Sequence, residues 1–145
     1  IILLNIENIF GLNMAKFEPD ILNKIDKNFL IHPKNIFIYP SNLKQCCFNN
    51  DHFDHLSKWS NSWGLLVYKN PLHMEEPFFN YQEYIQIFQT QLAILKPIVS
   101  RAKKLNKNIY IYKMDGDKNI WQKIIKPQLE LEFEQSNHVI FLWEK

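Results

Sequence analysis

Leu129-Glu130-Leu131-Glu132-Phe133-Glu134 alternates apolar and acidic residues without a break, and the reading of these six residues decides the fold. As a strand, period two places Leu129, Leu131 and Phe133 on one face and Glu130, Glu132 and Glu134 on the other. Gln135-Ser-Asn-His138 then supplies turn residues and Val139 to Trp143 a further apolar run, completing a C-terminal β-hairpin with one wet, acidic side. As a helix from Ile120 through Leu131, the region would instead extend the helical spacing of Trp121, Ile124, Ile125 and Gln128. The strict alternation favours the strand. The expected fold is therefore α/β or α+β, with a central sheet, a long kinked helix and a C-terminal hairpin.

The flanking segments supply the rest of that frame. Asn108-Ile-Tyr-Ile-Tyr112 alternates as a strand and reaches Asp115-Gly116, a dipeptide suited to a tight hairpin turn. From Tyr81, the residues Tyr84, Ile85, Phe88, Leu92, Leu95, Ile98, Val99, Ala102 and Leu105 follow one helical face, which Pro97 should kink or divide. Arg101, Lys103, Lys104 and Lys107 near its end complement the helix C-terminus. Asn35-Ile-Phe-Ile-Tyr39, closed by Pro40, and Trp63 to Tyr68, closed by Asn70-Pro71, read as strands. A short helix over Asp51 to Trp59, capped by Asn50 or Asp51, fits between them. Phe17, Ile21, Leu22, Ile25 and Phe29 recur at helical spacing with Pro19 in the first turn, and Ile1 to Leu4 with Ile6 reads as a buried opening strand. No repeat or linker divides residues 1–145, so a single domain is expected.

Composition narrows the function classes. Only three glycines, Gly11, Gly64 and Gly116, occur in 145 residues. They are far apart, so neither a P-loop nor a G-x-G-x-x-G turn can be built. Apolar residues make up 46% and aromatic residues 14%, enough for a ring-rich core. The net charge of +2 is too balanced to draw nucleic acid or an anionic membrane strongly. All the basic residues but Arg101 are lysine, which disfavours sites built on bidentate phosphate contacts. Cys46 and Cys47 are neighbours, offer no ordinary loop-closing disulfide and suit a reducing compartment. The apolar run at Ile1–Leu4 is too short for a signal segment or a membrane span, so a cytoplasmic protein without a membrane partner is expected.

Two clusters carry candidate chemistry. Cys46, Cys47, Asp51, His52, Asp54 and His55 bring metal-ligand side chains into ten residues, and on a helix His55 lies one turn from Asp51 and His52. The usual C-x₂₋₄-C and H-x₃₋₅-H spacings are absent, and polar residues capping a short helix explain the same letters. No G-x-S-x-G elbow accompanies the serines, cysteines and histidines, so no catalytic triad is assigned. The second cluster is Lys113-Met-Asp115-Gly116-Asp117, which follows a strand. Together with Ile1-Ile-Leu-Leu-Asn5-Ile-Glu7-Asn8, it resembles the first strand and the later acidic loop of NYN/PIN-type nucleases. That resemblance implies a divalent metal held by Glu7, Asp115 and Asp117, activating water against a phosphodiester, with nucleic acid as the partner. Asn5 stands where that family's first aspartate is expected, so the cation site has lost a charge.

The remaining signal is a small, aromatic-rich single domain. Trp59, Trp63, Phe78, Phe79 and Tyr81 fall in or near loops, where rings serve as interface anchors, and Glu130, Glu132 and Glu134 would add an acidic rim. The leading expectation is a cofactor-free, non-enzymatic module that binds another protein, such as an immunity-type inhibitor that neutralises a toxin domain. A degenerate NYN/PIN-like metal-dependent ribonuclease is the alternative.

Overall fold

The computed structural model describes residues 14–48, 50–114 and 116–145. Five strands form one wholly parallel sheet: β1 (Lys16–Phe17), β2 (Asn35–Asn42), β3 (Ser62–Tyr68), β4 (Asn108–Ile111) and β5 (Val139–Phe141). Their spatial order is β1-β5-β4-β2-β3, which leaves β3 at one edge among the described residues. A parallel sheet is covered on both faces, so its strands are apolar throughout. In β2 and β4 the faces are assigned by alternation. Ile38, Ile109 and Ile111 enter one core, whereas Phe37, Tyr39, Tyr110 and Tyr112 enter the other.

Short helices α1 (Lys27–Ile31) and α2 (Asp51–Leu56) lie on the aromatic face. Asp26 and Asn50 cap them by accepting from the Phe29 and Phe53 N–H groups. On the isoleucine face lies α3 (Tyr81–Lys104), capped by Asn80. It buries Tyr84, Phe88, Leu92, Leu95, Val99 and Ala102 and runs unbroken through Pro97. Of the two outcomes expected at that proline, a kink or a division, the division does not occur. Where sequence spacing favoured a helix over 17–29, the chain forms β1, a 3₁₀ segment (Pro19–Lys24) and α1. The opening strand expected over residues 1–6 lies outside the described residues.

The C-terminal hairpin is overturned. Residues 118–133 form a helical segment made of α4 (Lys118–Ile120), a π-helical turn (Trp121–Ile125) and α5 (Lys126–Phe133). Asp117 caps its start by accepting from Asn119 and Ile120 N–H groups. The π-turn ends just before Pro127, which has no N–H for an α-helical bond to Lys123. Trp121, Ile124, Ile125, Leu129 and Phe133 are buried against α3 and the sheet, while Leu131 is 71% exposed. Three-to-four spacing therefore overrides the two-residue alternation. β5 accordingly pairs with β4 in parallel, and the crossover helix replaces the tight turn. Gly116 has a different use: a Cβ there would collide with the ring of Tyr68.

Candidate functional site

The chain leaves β2 toward the aromatic face and β4 toward the opposite face. A crevice at the carboxyl ends of two such strands is where ligands bind in doubly wound sheets. Pro40 opens it. The hydrogen bond from Tyr112 N–H to Ile38 C=O closes the β2–β4 ladder, and Pro40 has no N–H to continue it. A cleft of about 160 Å³ follows, walled by Pro40, Asn42, Cys47, Phe53, Tyr68 and Lys113. Beside it, a cavity of about 880 Å³ extends over Ser41, Cys46, Lys58 and Trp63 toward the β3 edge.

Beside this region, His52 of α2 packs on Tyr112, the residue that follows β4. Its Nε2 lies 2.5 Å from the Tyr112 hydroxyl, and its ring packs 5.9 Å from that of Phe53. Burial, then the neighbouring charge of His55, holds the His52 imidazole below its usual pKa. Burial also pushes Tyr112 up, so the phenol keeps its proton and can donate it to a neutral imidazole nitrogen. The candidate ligands of the cysteine and histidine cluster diverge. His55 packs on Trp59, Asp54 accepts from Phe48 N–H, and among the described residues no group of three or more metal-ligand side chains converges.

The edge of β3 is unevenly covered. Phe37 N–H bonds Asn61 C=O, so odd-numbered residues of β3 face β2 and even-numbered ones face outward. Leu66 turns both backbone groups outward, and α3 caps both: Gln91 Oε1 accepts from its N–H at 3.0 Å, and the Tyr84 hydroxyl donates to its C=O at 2.6 Å. Gly64 presents the same two groups, and no side chain among the described residues bonds them. Its Cβ position would lie only 2.8 Å from the Ser41 Cβ, so the close approach of β3 to β2 favours glycine. Next to it, Trp63 is 49% exposed, and Ile94 and Leu105 of the adjoining helix region are also exposed. A hollow of about 350 Å³ beside Trp63 is walled by Arg101 and Lys107 and, among the described residues, is lined by no carboxylate.

The expected anchor residues do not form one patch. Trp59 and Trp63 lie toward the start of β3, whereas Phe78, Phe79 and Tyr81 lie beyond its end. Phe78 bridges to Tyr68 and is 38% exposed, Phe79 is buried, and Trp59 and Tyr81 are half-buried. The acidic stripe disperses with the loss of the hairpin. Glu130 pairs with Lys126 and accepts from Trp143 Nε1–H, Glu132 pairs with Lys96, and Glu134 follows the helix end. Gly64, Tyr84 and Gln91 were not expected at a site, because the strand order that makes β3 an edge is not a local sequence property.

Glu7 and Asp115 lie outside the described residues. Antiparallel pairing would have parted Asp117 from the other strand ends; instead β4 and β5 run parallel and Asp117 lies beyond the end of β4. No protein family, curated protein or solved structure matches the chain. The NYN/PIN resemblance thus stands on the quoted residues alone. Among the described residues, no helix is long and apolar enough to cross a membrane.

Proposed function

We propose that the protein is a non-enzymatic binding module that receives an extended segment of a partner protein along the β3 edge. The observation that carries this reading is the backbone of Gly64, uncapped among the described residues, beside exposed Trp63 and against the double cap on Leu66. A strand laid on such an edge gains main-chain hydrogen bonds, and its alternate side chains give specificity. An apolar side chain of the partner would pack on Trp63. An acidic one would face Arg101 and Lys107 in the hollow beside it. An immunity-type inhibitor covering a toxin domain is one form of this function, requiring complementarity and no reaction.

A photo-crosslinking amino acid at position 63, compared with the same residue at position 131, tests the reading. Both positions are exposed, but Leu131 lies on the remote helical segment. Co-expressed with neighbouring gene products, the position-63 protein should yield a discrete adduct whose partner peptide is extended and acidic. The position-131 protein should not. If position 63 gives no adduct beyond those of position 131, the edge is not the binding surface.

A further inference from the structure

The loop after β2 holds two thiols against each other. Cys46 and Cys47 are free and exposed, and their Sγ atoms stand 2.9 Å apart. Successive side chains of an extended segment point to opposite sides, so neighbouring thiols do not meet by default. Here the backbone turns them together: Gln45 and Cys47 take φ values of 55° and 59°, in the left-handed region that side-chain-bearing residues avoid.

This geometry is held from both sides. Asn42, buried at the end of β2, donates through Nδ2 to the Cys46 C=O at 2.9 Å and accepts from Lys44 N–H at 2.9 Å. Its own C=O accepts from Gln45 N–H. Across the pair, Phe48 N–H donates to Asp54 Oδ1 at 3.1 Å. The loop is therefore tied to both β2 and α2, yet the thiols themselves remain open to solvent.

We propose that Cys46 and Cys47 form a reversible vicinal disulfide by exchange with a low-molecular-weight disulfide. The Cys46 thiolate attacks one sulfur of the reagent, forming a mixed disulfide with it, and expels the other sulfur as a thiolate that takes up a proton. Cys47, as thiolate, then attacks the Cys46 sulfur of the mixed disulfide and expels the second reagent thiol. Two electrons and two protons pass from the cysteine pair to the reagent, whose S–S bond is replaced by the one joining Cys46 and Cys47. The hydrogen bond with Cys46 is the main cause of the raised Cys47 pKa, and the same contact holds the second thiol within reach of a mixed disulfide on the first. Across a trans peptide the Cα atoms are about 3.8 Å apart, closer than the roughly 4.4 Å lower limit of ordinary disulfides. The ring is thus readily reopened. Cys47 borders both the strand-end cleft and the larger cavity, so ring closure alters a wall common to both.

The full chain equilibrated in glutathione redox buffers, quenched with maleimide and weighed intact, decides the matter. The wild type should pass from two alkylated thiols to a species lacking two hydrogens, without a lasting glutathione adduct, and reducing agent should reverse it. Cys47→Ser should stop at one glutathione on Cys46, and Cys46→Ser at one glutathione on Cys47. The urea-unfolded chain, lacking both anchors, should close its ring several-fold less favourably. Two fully alkylatable thiols in every buffer, a wild-type adduct as persistent as that of Cys47→Ser, or equally favourable closure in urea would each overturn the proposal.

Discussion

The two faces of the sheet differ in both chemistry and cover. Under α3 and the C-terminal helical segment, Ile38, Ile109, Ile111, Val139 and Phe141 join a largely aliphatic core. On the other face, Phe37 and Tyr110 stack at 5.6 Å and Phe53 meets Tyr112 edge-on at 5.3 Å, and among the described residues the cover comes from the short α1 and α2, the 3₁₀ segment through Ile21, and Phe48 of the loop after β2. Tyrosine combines an apolar ring with a polar tip, so this layer can be buried and still offer hydroxyls to the loops. The strand-end cleft, the paired thiols and the His52–Tyr112 contact lie on or beside this thinner side. The thick face supplies most of the buried aliphatic surface, and the thin face carries the reactive groups.

Substitutions in the two layers should separate accordingly in urea denaturation. Leu129→Ala, in the fully buried helical face, should cost about 2–5 kcal/mol. Phe53→Ala, in the partly buried aromatic layer, should cost about 1–3 kcal/mol. Leu131→Ala should stay within roughly 0.5 kcal/mol of the wild type. Equal costs at 129 and 131 would restore the strand alternation and break the distinction.

That comparison also marks what could be read beforehand. The Ile-Phe-Ile-Tyr and Ile-Tyr-Ile-Tyr runs mark both strands, whose faces the packing then assigns, and the spacing from Tyr84 to Ala102 marks α3. Leu129–Glu134 misled because two periods share Leu129 and Phe133; the conflict rests on Leu131, whose exposure only packing decides. Trp63 was marked as a candidate anchor from its ring and position. Its importance depends on β3 being an edge, which follows from the pairing of β2 with β4 across a long stretch of sequence.

The edge offers a smaller, sharper contrast between capped Leu66 and uncapped Gly64. Tyr84→Phe removes the hydroxyl that donates to the Leu66 C=O while keeping the buried ring. The expected loss is about 1 kcal/mol, since water can replace part of a cap at an edge. With a second residue uncapped, sedimentation velocity should show stronger concentration-dependent association than in the wild type. Unchanged stability and association would mean that the α3 side chains do not guard the strand.

The smallest expected effect tests the thin face through its histidine. Burial and the charge of His55 depress the His52 pKa in the folded state, whereas the unfolded chain titrates near the usual value of about 6.5. Between the two values the unfolded state binds more protons, so stability rises with pH there. The contribution is fully present above about pH 6.5 and is lost as pH falls toward the depressed value. Protonation would also remove the imidazole's acceptor and set a charge beside Tyr112. His52→Gln cannot titrate, so its urea midpoint should fall less than that of the wild type between about pH 7 and pH 5. Leu131→Ala, on the opposite side of the sheet, should retain the wild-type slope. Parallel slopes for wild type and His52→Gln would show that the imidazole is not held neutral by the fold, and would remove the titrating group from the aromatic face.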